Sequence, residues 1–185
     1  MQQVIVIGPP RSGTSVVARL LQENLGVMMD EGPIRKDTHN PHGYYEDHRV
    51  VAINKIAISR WLMGKNHEQK VDPVWALQFA KWVAYMTTKY RDRQWGFKEP
   101  RCMGFISWVK QFFKDPIWIV CDRSDEQIIK SQVNKLGIKK EDAINGLLAY
   151  RKLIKDNLTD YHKIDLTMKQ SEKKLTKRLK RILND

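Results

Sequence analysis

One segment near the N-terminus restricts the fold of this chain more than any other. Val4-Ile5-Val6-Ile7 is a run of β-branched residues ending at Gly8, and Val16, Val17, Leu20 and Leu21 then recur at helical spacing. Between them stands Gly8-Pro9-Pro10-Arg11-Ser12-Gly13-Thr14-Ser15. A short continuous apolar run reads as a buried strand, and a 3.6-residue period as a helix with one apolar face. The two glycines let the connecting backbone curl so that successive N–H groups point inward, at the positive end of the helix dipole. Ser12, Thr14 and Ser15 add hydroxyl donors, and Arg11 adds a permanent charge on a planar fork of donors. Strand, loop and helix in that order make a site for phosphate or a similar anion.

The remainder of the chain keeps alternating. The first helix is expected to stop at Gly26, with a second short strand over 27–29. Residues 32–43, rich in Pro, Gly, Asn, Asp and His, read as a loop. Helices are expected over 47–63 and 73–90, the latter with Trp75, Phe79, Trp82 and Met86 along one face at core spacing. A strand over 95–98 precedes a helix over 103–113, and Ile117-Trp118-Ile119-Val120-Cys121 is the strongest later strand. Helices over 125–136 and 141–158 follow, then a strand over 164–166 and a final helix with Leu175, Leu179, Ile182 and Leu183 inward. This alternation predicts a three-layer α/β fold, its mainly parallel sheet flanked by helices and its ligands at the carboxyl ends of the strands.

Composition adds bounds. At 185 residues the chain suits one domain, 1–185, and 42% hydrophobic with 29% charged residues excludes a disordered polymer. No apolar run approaches the roughly 20 residues that cross a bilayer, and no signal-peptide pattern opens the chain. Two cysteines, Cys102 and Cys121, fit a reducing compartment, so a cytoplasmic location is expected. Lys and Arg number 33 against 21 Asp and Glu, a net +12 that favours anionic partners. Between residues 169 and 184 stand five Lys and two Arg against one Glu, half of that excess. The final helix therefore offers a basic face to an anionic surface or acceptor, with no nucleic-acid-binding motif beside it.

A second segment, Trp118-Ile119-Val120-Cys121-Asp122-Arg123-Ser124, carries Arg123 off a strand end, and Ser131 lies eight residues further on. Ser131 is about two turns into the next helix, so both side chains can meet one anion at the edge of the sheet that holds the first loop. That first loop resembles the G-x4-G-K-[ST] P-loop of nucleoside triphosphatases, but Thr14 stands where the lysine belongs and the cation is Arg11. Taken together, the two segments resemble the sulfotransferases that use 3′-phosphoadenosine 5′-phosphosulfate (PAPS). Pro10-Arg11-Ser12-Gly13-Thr14-Ser15 matches their P-[KR]-[ST]-G-[TS]-[ST] loop, and Arg123 with Ser131 matches their strand-end Arg and the Ser eight residues later. Asn40-Pro41-His42-Gly43-Tyr44-Tyr45-Glu46-Asp47 and Trp95-Gly96-Phe97-Lys98-Glu99-Pro100-Arg101 look like segments of bacterial members. The resemblance spans about residues 4–132.

The resemblance implies a P-loop NTPase-like sulfotransferase fold. It also implies in-line transfer of a sulfuryl group from PAPS to a hydroxyl or amine of a small-molecule or carbohydrate acceptor, leaving 3′-phosphoadenosine 5′-phosphate. Arg11, Ser12, Gly13, Thr14 and Ser15 would hold the 5′-phosphosulfate, and Arg123 and Ser131 the 3′-phosphate. No metal is demanded, because a sulfuryl group carries less charge than a phosphoryl group. Glu31 lies where some protein-tyrosine and polysaccharide members keep a catalytic Glu and is the first candidate base. Glu46 is the second and His42 the third, with His39 in the same loop. Lys98 and Arg101 leave a strand end and can reach the sulfate or an acidic acceptor, with Glu99 ordering them through an ion pair. The chain departs from the family in being short and in lacking a K-G-x-x-G-x-W stretch after Ser131. Another segment then covers the adenosine, or the cofactor binds more weakly, or the protein is a reduced relative. The alternatives are a P-loop kinase of small molecules, against which Thr14 and the Arg123/Ser131 pair both count, and a nucleotide-binding or nucleic-acid-binding protein without catalysis.

Overall fold

The computed structural model describes residues 1–38, 40–62, 72–168 and 170–185; His39 and the expected helix end at residue 63 lie outside them. Four strands, β1 (Val4–Ile7), β2 (Gly96–Lys98), β3 (Ile117–Asp122) and β4 (His162–Asp165), form one parallel sheet in the order β2-β1-β3-β4. The helices are α1 (Thr14–Leu25), α2 (His48–Leu62), α3 (Pro73–Lys89), α4 (Ile106–Val109), α5 (Asp125–Leu136), α6 (Lys140–Asn157) and α7 (Glu172–Asn184). The three-layer α/β expectation is met.

Because side chains alternate along a strand, each central strand feeds two cores. Ile5, Ile7, Trp118 and Val120 face one of them, with Trp75, Phe79, Trp82 and Met86 of α3. Val4, Val6, Ile119 and Cys121 face the other, with Val17, Leu20 and Leu21 of α1 and Leu175, Leu179 and Ile182 of α7. The α3 stripe is thus core, as its spacing implied, and Trp75 stacks on Phe79 with ring centroids 4.7 Å apart. Trp75 also donates its indole N–H to Asn54 at 3.0 Å, so the buried polar edge is satisfied.

Three expected elements come out differently. Residues 27–29 form no strand: Met28 makes one parallel bridge to Trp95, while the N–H groups of Met29 and Asp30 donate to the Gln22 side chain at 3.1 and 2.9 Å. That side chain takes the donors a sheet ladder would have used. The helix expected over 103–113 is broken into a 3-10 segment (Pro100–Phe105), the single turn of α4, and a second 3-10 segment (Lys110–Phe112). Pro100 and Gly104 are both poor α-helix formers. The last strand begins earlier than expected, at His162, because parallel pairing with β3 recruits the polar His162 and Lys163 ahead of the buried Ile164. Among the described residues no helix is long and apolar enough to cross a membrane.

Candidate functional site

Arg11 and Arg123 follow the carboxyl ends of β1 and β3, and Lys98 is the last residue of β2. After β1 the chain turns through Gly8 and Pro9, with the Ser12 N–H donating to the Pro9 carbonyl at 3.0 Å. Gly13 caps α1 in the left-handed region at φ 96, and α1 has no side-chain cap and no acidic residue in its first turn. Its leading N–H groups, at Thr14 and Ser15, therefore keep their positive end for an incoming anion. A Cβ on Gly8 would stand 2.4 Å from the Cys121 carbonyl oxygen and 2.6 Å from Ser12 Oγ. Ser12 is fully buried, and its Oγ has no hydrogen-bond partner among the described residues. A buried hydroxyl without a partner in a tight glycine turn is a donor that an anion at this loop would satisfy.

Arg11 takes a left-handed backbone, φ 74, a region sparsely populated by residues with a Cβ. Helix α5 holds it there from two sides. Arg11 Nε donates to Ser131 Oγ at 3.0 Å, and Gln132 Nε2 donates to the carbonyl of neighbouring Pro10 at 3.0 Å. One turn toward the N-terminus of α5, Gln127 Oε1 accepts from Arg123 Nε at 2.7 Å. Residues four apart share a helix face, so Arg123, Gln127, Ser131 and Arg11 form one row along α5. The pairing expected between Arg123 and Ser131 is thus spaced by Gln127. Asp122, at the end of β3, accepts from Arg151 at 3.2 Å and Lys163 at 2.8 Å, so two cations already neutralise it.

β2 ends in a buried ionic network. Lys98 is 1% exposed, and its ammonium pairs with Glu46; burial pulls its pKa down from the usual lysine range. Glu46 also meets Arg101 at 3.4 Å and Arg35 at 3.3 Å. Glu99, fully buried, takes a two-pronged contact from Arg101 at 2.5 and 2.6 Å, and burial raises its pKa. The expected ordering of Arg101 by Glu99 is present. Tyr44 joins this network to the loop: its ring lies 5.8 Å from the Lys98 ammonium and 5.6 Å from the Arg35 guanidinium, and its hydroxyl donates to Asp37 at 2.7 Å. Burial and Asp37 raise the Tyr44 pKa, and the nearby charge of Arg11 opposes them.

Glu31 sits in a separate cluster, where it pairs with Arg49 at 2.6 Å and Lys89 at 2.9 Å and accepts from the Tyr90 hydroxyl. Its burial alone would raise the pKa, but the Tyr90, Lys89 and Arg49 donors outweigh that and hold the carboxyl near 2. A folded pKa below the unfolded one of 4.5 gives stability that is complete above the unfolded value and is lost as pH falls through the folded value. Glu31→Gln is expected to cost about 2 kcal/mol at pH 7, allowing for water that still reaches the group, with about half of the difference gone by pH 3. Urea unfolding of both proteins at the two pH values measures it, and a difference independent of pH refutes the assignment. His42 is exposed on the loop surface. Three contributors went unnoticed in the sequence: Gln127 and Gln132, ordinary helix residues by pattern, and Asp30. Asp30 is a buried carboxyl pushed up by desolvation and the nearby Asp47 charge, and it accepts the Gly32 N–H at 3.0 Å.

No protein-family model matches this sequence, and no curated protein matches it. Solved structures do share its architecture. The sulfotransferase domain from the curacin biosynthetic pathway covers 99% of this chain and 71% of its own length, with a TM-score of 0.60 at 12% identity. The sulfotransferase domain of the Synechococcus PCC 7002 olefin synthase covers 100% and 70%, with a TM-score of 0.59 at 13% identity. The deoxyadenosine kinase of M. mycoides, solved with dATP bound, covers 100% of both chains, with a TM-score of 0.51 at 12% identity. At such identities the likeness is one of fold, and the chain has the α/β P-loop-like fold that these sulfotransferases and kinases share.

Proposed function

We propose that this protein is a transferase that binds a nucleotide at the β1–α1 loop and moves a sulfuryl group from PAPS to a hydroxyl or amine acceptor. The observation that carries the reading is the row of Arg11, Ser131, Gln127 and Arg123 along α5, which puts two guanidinium groups at one sheet edge beside the empty hydrogen-bonding capacity of Ser12. Two guanidinium groups along one helix suit a nucleotide that carries phosphates at both its 5′ and 3′ positions. Thr14 lacks the cation that a triphosphate needs, and Asp122, already neutralised, is a poor ligand for Mg²⁺; both features weigh against a kinase.

In this reading PAPS supplies an activated sulfuryl group whose departure leaves charge on a phosphate oxygen. Arg11 and the N–H groups of Gly13, Thr14 and Ser15 stabilise that charge, and Ser12 adds a hydroxyl donor. Arg123 and Ser131 hold the 3′-phosphate. Glu46 takes the acceptor proton, because it stands beside Tyr44 and Lys98 at the end of β2, whereas Glu31 lies in a separate cluster with Arg49, Lys89 and Tyr90. Lys98 and Arg101 keep Glu46 oriented. The acceptor is a small molecule or a carbohydrate, and exposed Lys173, Lys174, Lys177, Lys180 and Arg181 on α7 offer it an anion-attracting flank.

Thermal unfolding with 3′-phosphoadenosine 5′-phosphate, ADP and ATP, each with and without Mg²⁺, tests the reading. At 100 times its dissociation constant, the 3′-phosphorylated nucleotide should raise the midpoint by about 5–10 °C regardless of Mg²⁺. A shift confined to Mg-ATP makes the protein a kinase instead, and no shift with any of them removes the nucleotide site.

A further inference from the structure

At the edge of the sheet opposite the β1–α1 loop, α6 from one layer and α7 from the other both end beside the first residues of β3 and β4. Between them lies a cavity of about 510 Å³, within the range that holds small molecules. Its floor comes from both cores, Trp118 and Leu158 from one and Ile117 and Ile182 from the other. Each of these is 5–8% exposed where Ile119, further along β3, is fully buried, so the cavity opens onto the ends of both cores. The rings of Phe113 and Tyr161 also line it.

Its charge runs against that of the molecule. Asp115, Asp160 and Asp185 line the cavity, and none of the three has an ion-pair partner among the described residues, on a chain of net charge +12. Against them stand the imidazole of His162 and Lys110, whose ammonium donates to the Asn157 carbonyl at the end of α6 at 2.7 Å. The ends of α6 and α7 add the negative poles of two helix dipoles. The neighbouring cavity, about 260 Å³, shares Leu158 and Tyr161 with this one but carries Arg151, Lys155 and Lys163 against Asp122, so the two differ in sign.

We infer that the cavity at the amino ends of β3 and β4 is a second ligand site, one that takes a small organic cation, an amine on an aromatic body. Asp115 and Asp160 attract the ammonium, and the body covers the apolar floor at Trp118 and Leu158. The electron-rich face of an aromatic ring adds to the attraction for a cation. A bare inorganic ion leaves the floor uncovered and forgoes that burial. The site lies at the far edge of the sheet from Arg11 and Arg123 and does not rest on the nucleotide reading.

Calorimetric titration of the full chain tests it with three probes: phenethylamine, phenylacetate with the same ring and the opposite charge, and methylamine with the charge and no ring. Wild type should bind phenethylamine, with each of the other two at least about fivefold weaker. Asp115→Asn combined with Asp160→Asn should weaken phenethylamine about fivefold to tenfold and leave phenylacetate no weaker. Asparagine tolerates the left-handed backbone of Asp115, φ 50, and both positions are exposed, so the unfolding midpoint should not move. Asp160→Asn alone, away from that turn, should weaken phenethylamine about twofold to threefold. A wild type that does not bind phenethylamine, or that binds phenylacetate or methylamine as tightly, overturns the site. So does an affinity for phenethylamine that both variants leave unchanged.

Discussion

Lys98→Met should lose about 3 kcal/mol of stability, roughly 6–12 °C in midpoint for a domain of this size, and at least about a hundredfold in sulfuryl transfer. Lys98 is buried to 1% exposure with its ammonium on Glu46, so its removal leaves a carboxylate out of water with only Arg101 at 3.4 Å and the half-exposed Arg35 to balance it. Burial acts on Lys98 against its attraction to Glu46, and the desolvation of a buried pair offsets most of what its mutual attraction returns. Removing both charges is therefore expected to recover most of the loss. Lys98→Met combined with Glu46→Leu should return to within about 1 kcal/mol of wild type, because Arg101 retains Glu99. The same double variant should stay inactive, since it lacks both the proposed base and the cation beside it. Denaturant unfolding and turnover on one set of preparations decide the matter. A single variant as stable as wild type denies the pair its buried character, and a double variant with normal turnover takes both residues out of the chemistry.

Arg123→Ala should weaken 3′-phosphoadenosine 5′-phosphate about 10- to 100-fold, the scale of a charge-assisted contact to phosphate. Adenosine 5′-phosphosulfate, which has no 3′-phosphate, should bind the variant within about twofold of wild type. Arg123 stands at the end of β3 with its Nε on Gln127, so its other guanidinium nitrogens are aimed by a fixed side chain. Gln127→Ala should give a smaller loss with the same selectivity, because the arginine keeps its charge and loses only its orientation. Competitive binding of the two nucleotides measures both variants. Equal weakening of the two nucleotides would falsify the 3′-phosphate role and turn Arg123 into a general contributor to the field of the site.

Much of this protein is legible along the chain because its chemistry is local. Val4–Ile7, Gly8, Gly13 and the helical repeat after Ser15 announce a strand, a tight loop and a helix within two dozen residues, and the structure has all three. The aromatic stripe of α3 and the apolar stripe of α7 were equally readable, since spacing alone decides which face of a helix is buried. Local reading failed where a distant group took over a backbone's hydrogen bonds. The side chain of Gln22 turned residues 27–29 from strand to loop, and pairing with β3 made a strand of polar His162-Lys163-Ile164-Asp165.

The division is sharpest among the charged residues. Pattern places Arg11, Lys98, Arg123 and Ser131 at one edge of a parallel sheet, and there it stops, because a charge is assigned its task by partners far off in sequence. Arg49, Lys89 and Tyr90, from α2 and the end of α3, draw Glu31 into an ion cluster and drive its pKa to about 2. Lys98 and Arg101 surround Glu46 instead, and Ser131 reaches across 120 residues to hold Arg11. The sequence by itself determined the layered fold and the loop between β1 and α1, since strand, turn and helix propensities act between neighbours. Only the tertiary structure decided which cations each carboxylate meets, because Coulomb and desolvation energies depend on distances and burial that exist only once the chain has folded.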